Sequence, residues 1–237
     1  MNPKVICLDT ETTGVDPKRD EVLTLSIIDG EGNVLFDRMF KPERTTAWPS
    51  ASKVNRIYPE DVEGCAPIGE SLGEIDAILA DATRIVGYNL NFDLGFLDAA
   101  GACIPETGVE FWDPMVLFAE LYGEWNPRRG EYKWQKLTKA AEFTGYEWDG
   151  AAHGSLADAR ATLAVLAWCI DTRDKKSAVL ARWREAVAYA QRQQPGAAPG
   201  EMLTPGSLEL GELLDEEFPE LSISQRKAIM RSLPCEL

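Results

Sequence analysis

The chain has 237 residues, of which 45% are hydrophobic and 27% charged, and its formal net charge is −15. This composition is typical of a folded globular protein with an ample core. The acidic balance excludes broad coating of nucleic acid, which needs a basic surface, but not a narrow cleft that grips a polyanion through metal ions. Five scattered cysteines indicate reduced thiols. Because no apolar run is long enough for a signal peptide or a membrane span, we expect a cytoplasmic protein without a membrane partner.

The first 40 residues predict three strands. Residues 5–8 form an apolar run typical of a buried strand. Apolar and smaller or polar residues alternate within 21–29, and the turn at 29–33 leads into a returning strand at 34–40. The chain therefore opens with one strand followed by an antiparallel hairpin.

The remaining elements alternate between helix and strand. Short strands are predicted at 84–88 and 109–112, and helices within 50–62 and at 71–80, 89–100, 115–121, 137–143, 155–170 and 172–194. This order predicts an α/β fold in which a mixed sheet carries helices on both faces.

Two carboxylates follow the first predicted strand. Asp9 and Glu11 are two residues apart, so on extended backbone their side chains point to the same side. The carboxyl end of a strand is the usual place for a site in an α/β sheet. Converging carboxylates repel each other unless a cation lies between them, which favours a divalent metal site. The alternative is a turn in which Asp9 and Thr12 accept hydrogen bonds from loop amides.

A third acid follows the strand at 84–88. Asn89 or Asn91 can cap the next helix, and Asp93 falls in its first turn. The helix dipole alone favours an acid at that position. Asp93 by itself is therefore as consistent with a structural role as with a functional one.

The last candidates surround the start of the helix at 155–170. Ser155 and Asp158 have the spacing of a helix-capping arrangement. His153, the single histidine of the chain, precedes them in a loop rich in alanine and glycine. A lone histidine is more often structural than catalytic, but beside a metal ligand it would suit a general base.

Together these residues form three ordered motifs: Asp9-Thr-Glu11, Asn89-x-x-Phe92-Asp93 and His153 followed five residues later by Asp158. They resemble the three-part signature of the DEDDh, or DnaQ-like, 3′–5′ exonucleases. The resemblance covers about residues 5 to 170. It implies a ribonuclease H-like fold, with a mixed five-stranded sheet, an N-terminal antiparallel hairpin and helices on both faces.

The resemblance also implies two divalent cations, Mg²⁺ or Mn²⁺, held chiefly by Asp9, Glu11 and Asp158, with Asp93 assisting through water. Two such ions can clamp the attacking and leaving oxygens of an in-line displacement. His153 would remove a proton from the attacking water. Attack on the terminal phosphodiester at a nucleic acid 3′ end would release nucleoside 5′-monophosphates.

By the same resemblance, the substrate-binding residues are Thr12, Thr13, Asn89 and Phe92, the two threonines through their backbone amides. Asn55 departs from the family pattern, because a histidine is frequent at that place. We expect single-stranded DNA as the substrate. RNA is the alternative, since contacts to the 2′ position decide between them.

Residues 125–139 interleave aromatic side chains such as Trp125 and Trp134 with basic ones such as Arg128. This segment could follow a single strand by phosphate contact and base stacking. Alternatively, it is a surface loop whose aromatic residues anchor the following helix.

The C-terminal part predicts a separate organisation. We expect an exonuclease domain at 1–172, a helix at 173–193, a flexible linker at 194–206 and a tail at 207–237. This layout resembles the epsilon proofreading subunit of bacterial replicative polymerases, which implies a DNA polymerase subunit as a partner of the tail. The alternative is a tail that folds back on the exonuclease domain.

The sequence thus favours a metal-dependent 3′–5′ exonuclease acting on DNA, either in polymerase proofreading or alone. An exoribonuclease that trims RNA 3′ ends would use the same residues. A non-catalytic binding module for nucleic acid or a polymerase is the third hypothesis, but it gives no reason to keep a complete set of acids and a histidine.

Overall fold

A computed structural model describes residues 4–148 and 154–193, together with residues 216, 218 and 219. The chain divides into two compact units. Unit 1 comprises residues 1–117 and 134–166, and unit 2 comprises residues 118–133 and 167–237. His153 and most of the predicted linker and tail lie outside the described residues.

Seven strands are present in the described part of the chain. They are β1 Val5–Thr12, β2 Val22–Asp29, β3 Val34–Met39, β4 Arg84–Val86, β5 Glu110–Trp112, β6 Trp125–Asn126 and β7 Glu131–Tyr132. The first five form one sheet in the order β3-β2-β1-β4-β5. The strands β1, β2 and β3 pair antiparallel, whereas β4 is parallel to both β1 and β5. The predicted mixed five-stranded sheet with an N-terminal hairpin is confirmed.

The helices of the same described residues are α1 Pro49–Asn55, α2 Pro59–Val62, α3 Leu72–Asp81, α4 Leu90–Ala99, α5 Pro114–Tyr122, α6 Leu137–Thr144 and α7 Ser155–Gln193, with a 3₁₀ turn at Ile68–Ser71. The two helices predicted at 155–170 and 172–194 are therefore one helix. That boundary was wrong because neither glycine nor proline interrupts the chain there, and Thr172 is buried within the helix.

Side chains of the central sheet alternate between two cores, as strand geometry requires. On one face Ile6 and Leu8 of β1 pack with α3 and α4. On the other face Cys7 packs with Ala159 and Leu166 of α7. The two faces of β1 are thus committed to different helices, and this decides where each acid at its carboxyl end points.

Unit 2 has its own aromatic contacts. Phe118 is buried, stacks on Tyr122 with ring centroids 5.5 Å apart, and lies 6.0 Å from the ring of Trp168. Residues 125–132 were expected to be a loop, but they form the hairpin of β6 and β7. The reason is a tight turn in which Gly130 has a φ of 70° and Arg128 N–H donates to Asn126 Oδ1. None of the helices in the described ranges combines the length and hydrophobicity needed to cross a bilayer.

Candidate active site

The carboxyl end of β1 places two acids on the face of the sheet that α7 covers. Cys7 marks that face, because it is fully buried and its Sγ lies 3.4 Å from the carbonyl oxygen of Ala159. Asp9 and Glu11 follow on the same side of the strand. Asp158 lies in the first turn of α7, one residue before Ala159. Strand register and helix position therefore bring the first and third motifs together.

These three side chains form a compact carboxylate cluster, the name kept below for Asp9, Glu11 and Asp158. Each offers one oxygen atom, and the three oxygens lie within 4.8 Å of one another. All three residues are partly buried. Hard divalent cations prefer carboxylate oxygens, and this spacing lets one ion contact more than one of them. The donor set therefore fits a divalent cation of the magnesium type.

Burial and mutual repulsion both raise the pKa values of acids in the carboxylate cluster. Burial raises the pKa of Asp9 well above its ordinary value, and the charges of Asp93, Asp158 and Glu11 raise it further. Burial and the charge of Asp158 likewise raise the pKa of Glu11 to about 8, although a hydrogen bond from Asn55 opposes this. Carboxyls held this way gain strongly from a bound cation, which replaces repulsion with attraction.

Asp93 has a different role from the other three acids. Its side chain is 2% exposed, and its Oδ1 accepts hydrogen bonds from Thr10 N–H at 2.9 Å and Thr10 Oγ1 at 2.6 Å. Burial raises the pKa of Asp93 to about 7 despite these donors. The structure thus brings Asp93 beside the cluster and fastens it to β1, while its Oδ1 is occupied by Thr10.

The turn before α4 is held by an acid from another strand. Of the two capping candidates, Asn89 is the N-cap residue of α4; it has a left-handed φ of 66°, and its side chain makes no capping hydrogen bond. Instead, the carboxylate of Asp113 accepts the N–H groups of Asn89 at 3.0 Å, Leu90 at 3.2 Å and Met115 at 2.9 Å. Burial raises the pKa of Asp113. Asp113 therefore fixes the start of the helix that carries Asp93.

The segment after β1 is fixed by Asn55 and Glu21. Asn55 is buried, and its Nδ2 donates to the carbonyl oxygen of Thr12 at 3.2 Å. The N–H of Thr13 donates to the carbonyl oxygen of Glu21 at 2.9 Å, so this amide is already engaged within the protein. A Cβ at Gly14 would lie 2.3 Å from Oδ2 of Asp20, so a larger residue there would displace this side chain, which accepts the N–H of Asp16.

A family model described as RNase_T, exonuclease, matches residues 6–166. The chain belongs to this exonuclease family. The match contains all three motifs and unit 1 of the structure almost completely.

Two relatives and one solved structure illustrate the family. The chain is 28% identical over 179 residues to the uncharacterized exonuclease CP81 of Escherichia phage 186, covering 68% of this chain and 85% of that protein. It is 29% identical over 200 residues to RNA exonuclease 4 of Gibberella zeae, covering 83% of this chain and 55% of that protein. The fold matches Exonuclease I of E. coli in complex with a dA16 oligonucleotide, with a TM-score of 0.57, 22% identity and coverage of 73% of this chain and 41% of that one.

In this exonuclease a cavity of about 460 Å³ opens beside the carboxylate cluster. Its lining includes Glu11, Asn55, Ile57, Met39 and Leu156. The volume is within the roughly 300–1,000 Å³ range of ligand pockets. Apolar and polar groups therefore meet next to Glu11 of the carboxylate cluster, which suits a ligand with a flat apolar part and a charged part.

The remaining predicted residues have the following positions. Phe92 is partly buried against the core of α3 and α4, with its ring centroid 4.8 Å from that of Phe96. Thr12 is buried, and its hydroxyl donates to the carbonyl oxygen of Gly14 at 2.6 Å. Their roles toward a substrate, like that of Asn89, remain predictions. The role of His153 rests on its sequence motif alone.

The sequence analysis did not identify two residues whose hydrogen bonds support the site. Thr10 lies between the two acids of the first motif, and its position on the opposite face of β1 is the signal that could have linked it to Asp93. Asp113 directly follows β5 and precedes Pro114. An acid at the carboxyl end of a strand in the same sheet is the signal that could have identified it.

Proposed function

We propose that this exonuclease is a metal-dependent 3′–5′ enzyme that hydrolyses terminal phosphodiester bonds of DNA and releases nucleoside 5′-monophosphates. The observation that carries the proposal is the carboxylate cluster, whose three oxygens lie within 4.8 Å of one another at the carboxyl end of β1. A site with this much mutual repulsion and burial is costly unless a cation occupies it.

The chain's own residues would divide the work as follows. Asp9, Glu11 and Asp158 would hold two divalent cations, Mg²⁺ or Mn²⁺. When bound, such ions stabilise negative charge on phosphoryl oxygens and lower the pKa of coordinated water. Asp93 would support Asp9 through its two bonds to Thr10. In this proposal His153 accepts the proton of the attacking water.

The end of the nucleic acid strand would lie next to the cluster. Asn55 holds the carbonyl of Thr12, which keeps the backbone after β1 in one position. The amide of Thr12, the turn at Asn89 and the ring of Phe92 would then contact the terminal nucleotide, as the family motif implies. The N–H of Thr13 would not contact the nucleotide, because it donates to the carbonyl oxygen of Glu21. Thr13 would instead help to hold the backbone after β1 in place.

The test is digestion of one single-stranded oligonucleotide labelled at either end, with and without Mg²⁺. A 3′–5′ exonuclease releases the 3′ label at once as a mononucleotide and shortens the 5′-labelled strand to a ladder. Release of the 5′ label first would contradict the polarity. Failure to degrade either DNA or RNA of the same sequence would contradict the enzymatic proposal and favour a binding module.

An exoribonuclease is the second candidate, and one observation favours it. The likeness to RNA exonuclease 4 covers 83% of this chain, more than the 68% covered by the phage relative. In this proposal the carboxylates act on the phosphate in either substrate, and contacts to the 2′ position of the sugar would separate the two activities. Comparing kcat/KM on DNA and RNA of one sequence decides between them.

The wider organisation is also a proposal. We infer an exonuclease domain at 1–172 in a cytoplasmic protein, with the tail at 207–237 as the segment that binds a DNA polymerase subunit in proofreading. Pull-down of polymerase by the full chain, and its loss when the chain is cut after Gln194, would support this partner. Equal capture by both forms would contradict it.

A further inference from the structure

A short basic segment stands out against the acidic chain. The tryptophan segment, defined as residues 134–139, carries Trp134, Lys136 and Lys139 and has no acidic residue. The whole chain has 39 acidic residues and 24 lysines and arginines. A local cluster of cations in such a chain marks a place where a polyanion is tolerated.

The indole of Trp134 is presented to solvent. Its exposed fraction is 52%, whereas the next residue, Gln135, is buried at 6% exposure. The backbone is thus fixed while the ring is not buried, which argues against Trp134 as an anchor for α6. A large exposed apolar ring on a fixed backbone is typical of a binding surface.

The tryptophan segment lies at the active edge of the sheet. The hydroxyl of Tyr88 donates to the carbonyl oxygen of Gln135 at 2.9 Å, and Lys139 Nζ donates to Gln135 Oε1 at 2.8 Å. Cys7 pairs with Val86 across the parallel strands β1 and β4. Tyr88 follows Val86 by two residues, as Asp9 follows Cys7. Tyr88 therefore ties the segment to the end of the sheet that carries the carboxylate cluster.

We propose that Trp134 is a stacking platform for a base of single-stranded DNA upstream of the scissile end, and that Lys136 contacts a phosphate of the same strand. Aromatic side chains bind any base through its flat face, and lysines supply the phosphate contact. This inference rests on the proposed exonuclease function. It adds a second contact region to a site whose hydrolytic centre is acidic.

The test measures binding and turnover separately. Binding of fluorescent dT12 is followed by anisotropy in EDTA, where no hydrolysis occurs. We expect Trp134→Ala to weaken binding about tenfold, which is the usual worth of one stacked base, and Trp134→Phe to retain most of it. Phe111→Ala is the matched control, because Phe111 is an aromatic residue of 44% exposure on β5, between Glu110 and Trp112. The Phe111→Ala variant should bind dT12 with the same affinity as the wild type.

Turnover is then compared on dT12 and on the p-nitrophenyl ester of thymidine 5′-monophosphate, which occupies the hydrolytic centre alone. Trp134→Ala should lower kcat/KM about tenfold on dT12 and leave it unchanged on the ester. Equal losses on both substrates, or equal affinity of Trp134→Ala and wild type for dT12, would overturn the platform. An effect confined to rU12 would overturn the assignment to DNA. Lack of turnover by the wild type on all substrates, with the binding difference intact, would instead contradict the proposed function.

The lysine contact has its own measurement. Each phosphate contact to a single strand contributes about −0.7 to the slope of log affinity against log salt. Lys136→Gln should reduce the slope for dT12 by about that amount. Lys4→Gln is the control, because Lys4 pairs with Asp81 at the opposite end of β1. Equal slopes for both variants would show that Lys136 makes no phosphate contact.

Discussion

Two groups of acids in this chain have opposite electrostatics. The carboxylate cluster at the end of β1 is partly buried and mutually repulsive, and the pKa values of its members Asp9 and Glu11 are raised. The loop acids, defined as Asp16 and Glu21 together with Asp29 at the last position of β2, have lowered pKa values instead. Asp16 is held by Lys18 N–H and the Arg19 guanidinium, and Asp29 by the side chain and N–H of Asn33.

The difference shows how a functional acid is recognised. Burial alone would raise the pKa of Glu21, but the N–H groups of Glu43, Arg44 and Thr45 converge on its carboxylate and lower it. A loop acid therefore already has its partners within the protein. The pKa values of Asp9 and Glu11 stay raised even though Asn55 donates a hydrogen bond to Glu11, so a bound cation would stabilise these carboxylates.

The largest expected effect comes from removing a charge in the carboxylate cluster. Asp9→Asn should lower kcat about a thousandfold or more, because the divalent cations proposed at this centre would supply several kcal/mol of transition-state stabilisation. The same change should raise the melting temperature of the metal-free protein, since it removes repulsion from a buried cluster. Turnover of dT12 and calorimetry in EDTA measure the two quantities.

Asp16→Asn is the matched control for that experiment. It changes an aspartate to the same amide seven residues further along, in a loop acid that is already hydrogen-bonded. Its kcat should stay near that of the wild type. Retained activity in Asp9→Asn, or a lower melting temperature of that variant in EDTA, would show that the cluster is structural rather than metal-binding.

The sequence was sufficient to predict the acids of the site, but not the residues that hold those acids in place. Spacing and strand periodicity predicted that Asp9 and Glu11 converge, and the family motifs added Asp93 and Asp158. The position of Asp113 after a strand is visible in the sequence, but its role is not, because two of its three hydrogen bonds reach a turn more than 20 residues earlier. Such contacts depend on strand order, which local patterns do not encode.

The secondary structure likewise includes elements that were predicted from the sequence and elements that were not. The five-stranded sheet follows from alternation and element order, so it could be predicted. The continuity of α7 through Thr172 and the hairpin of β6 and β7 were not predicted, although local signals were present: neither glycine nor proline interrupts α7 there, and Asn126 and Gly130 shape the turn of the hairpin. Propensity is a weak guide wherever tertiary contacts decide between helix, loop and short strand.

The pH dependence of stability should have opposite signs in the two groups. The pKa of Glu11 is raised from 4.5 to about 8 in the folded protein. Between these values the folded state binds more protons than the unfolded state, so the metal-free protein loses stability as the pH rises. The slope should be on the order of 1 kcal/mol per pH unit, because one proton is worth about 1.4 kcal/mol per unit. Chemical denaturation in EDTA across this window measures it.

Mg²⁺ provides the control for the pH experiment. The ion competes with protons for the same oxygens, so its apparent affinity should increase with pH and the loss of stability should disappear at saturating Mg²⁺. Glu11→Gln should flatten the slope in EDTA without added metal. Stability of the metal-free protein that increases from pH 5 to pH 8 would contradict the electrostatic description of the carboxylate cluster.

The smallest expected effect comes from a loop acid. Glu21→Gln keeps the shape of the side chain but turns an NH₂ group toward backbone N–H donors, so it should cost about 1–2 kcal/mol of unfolding free energy. Because the pKa of Glu21 is lowered in the folded protein, its carboxylate contributes to the free energy of unfolding above its unfolded pKa of about 4.3. This contribution is lost as the pH falls through the folded pKa. The stability difference between Glu21→Gln and the wild type should therefore shrink in acid, whereas the repulsion in the carboxylate cluster destabilises the metal-free protein at higher pH.

Glu43→Gln, which changes an exposed neighbour in the same loop, is the control. A loss of ester turnover in Glu21→Gln, or a stability cost that persists unchanged in acid, would remove the distinction between the two groups.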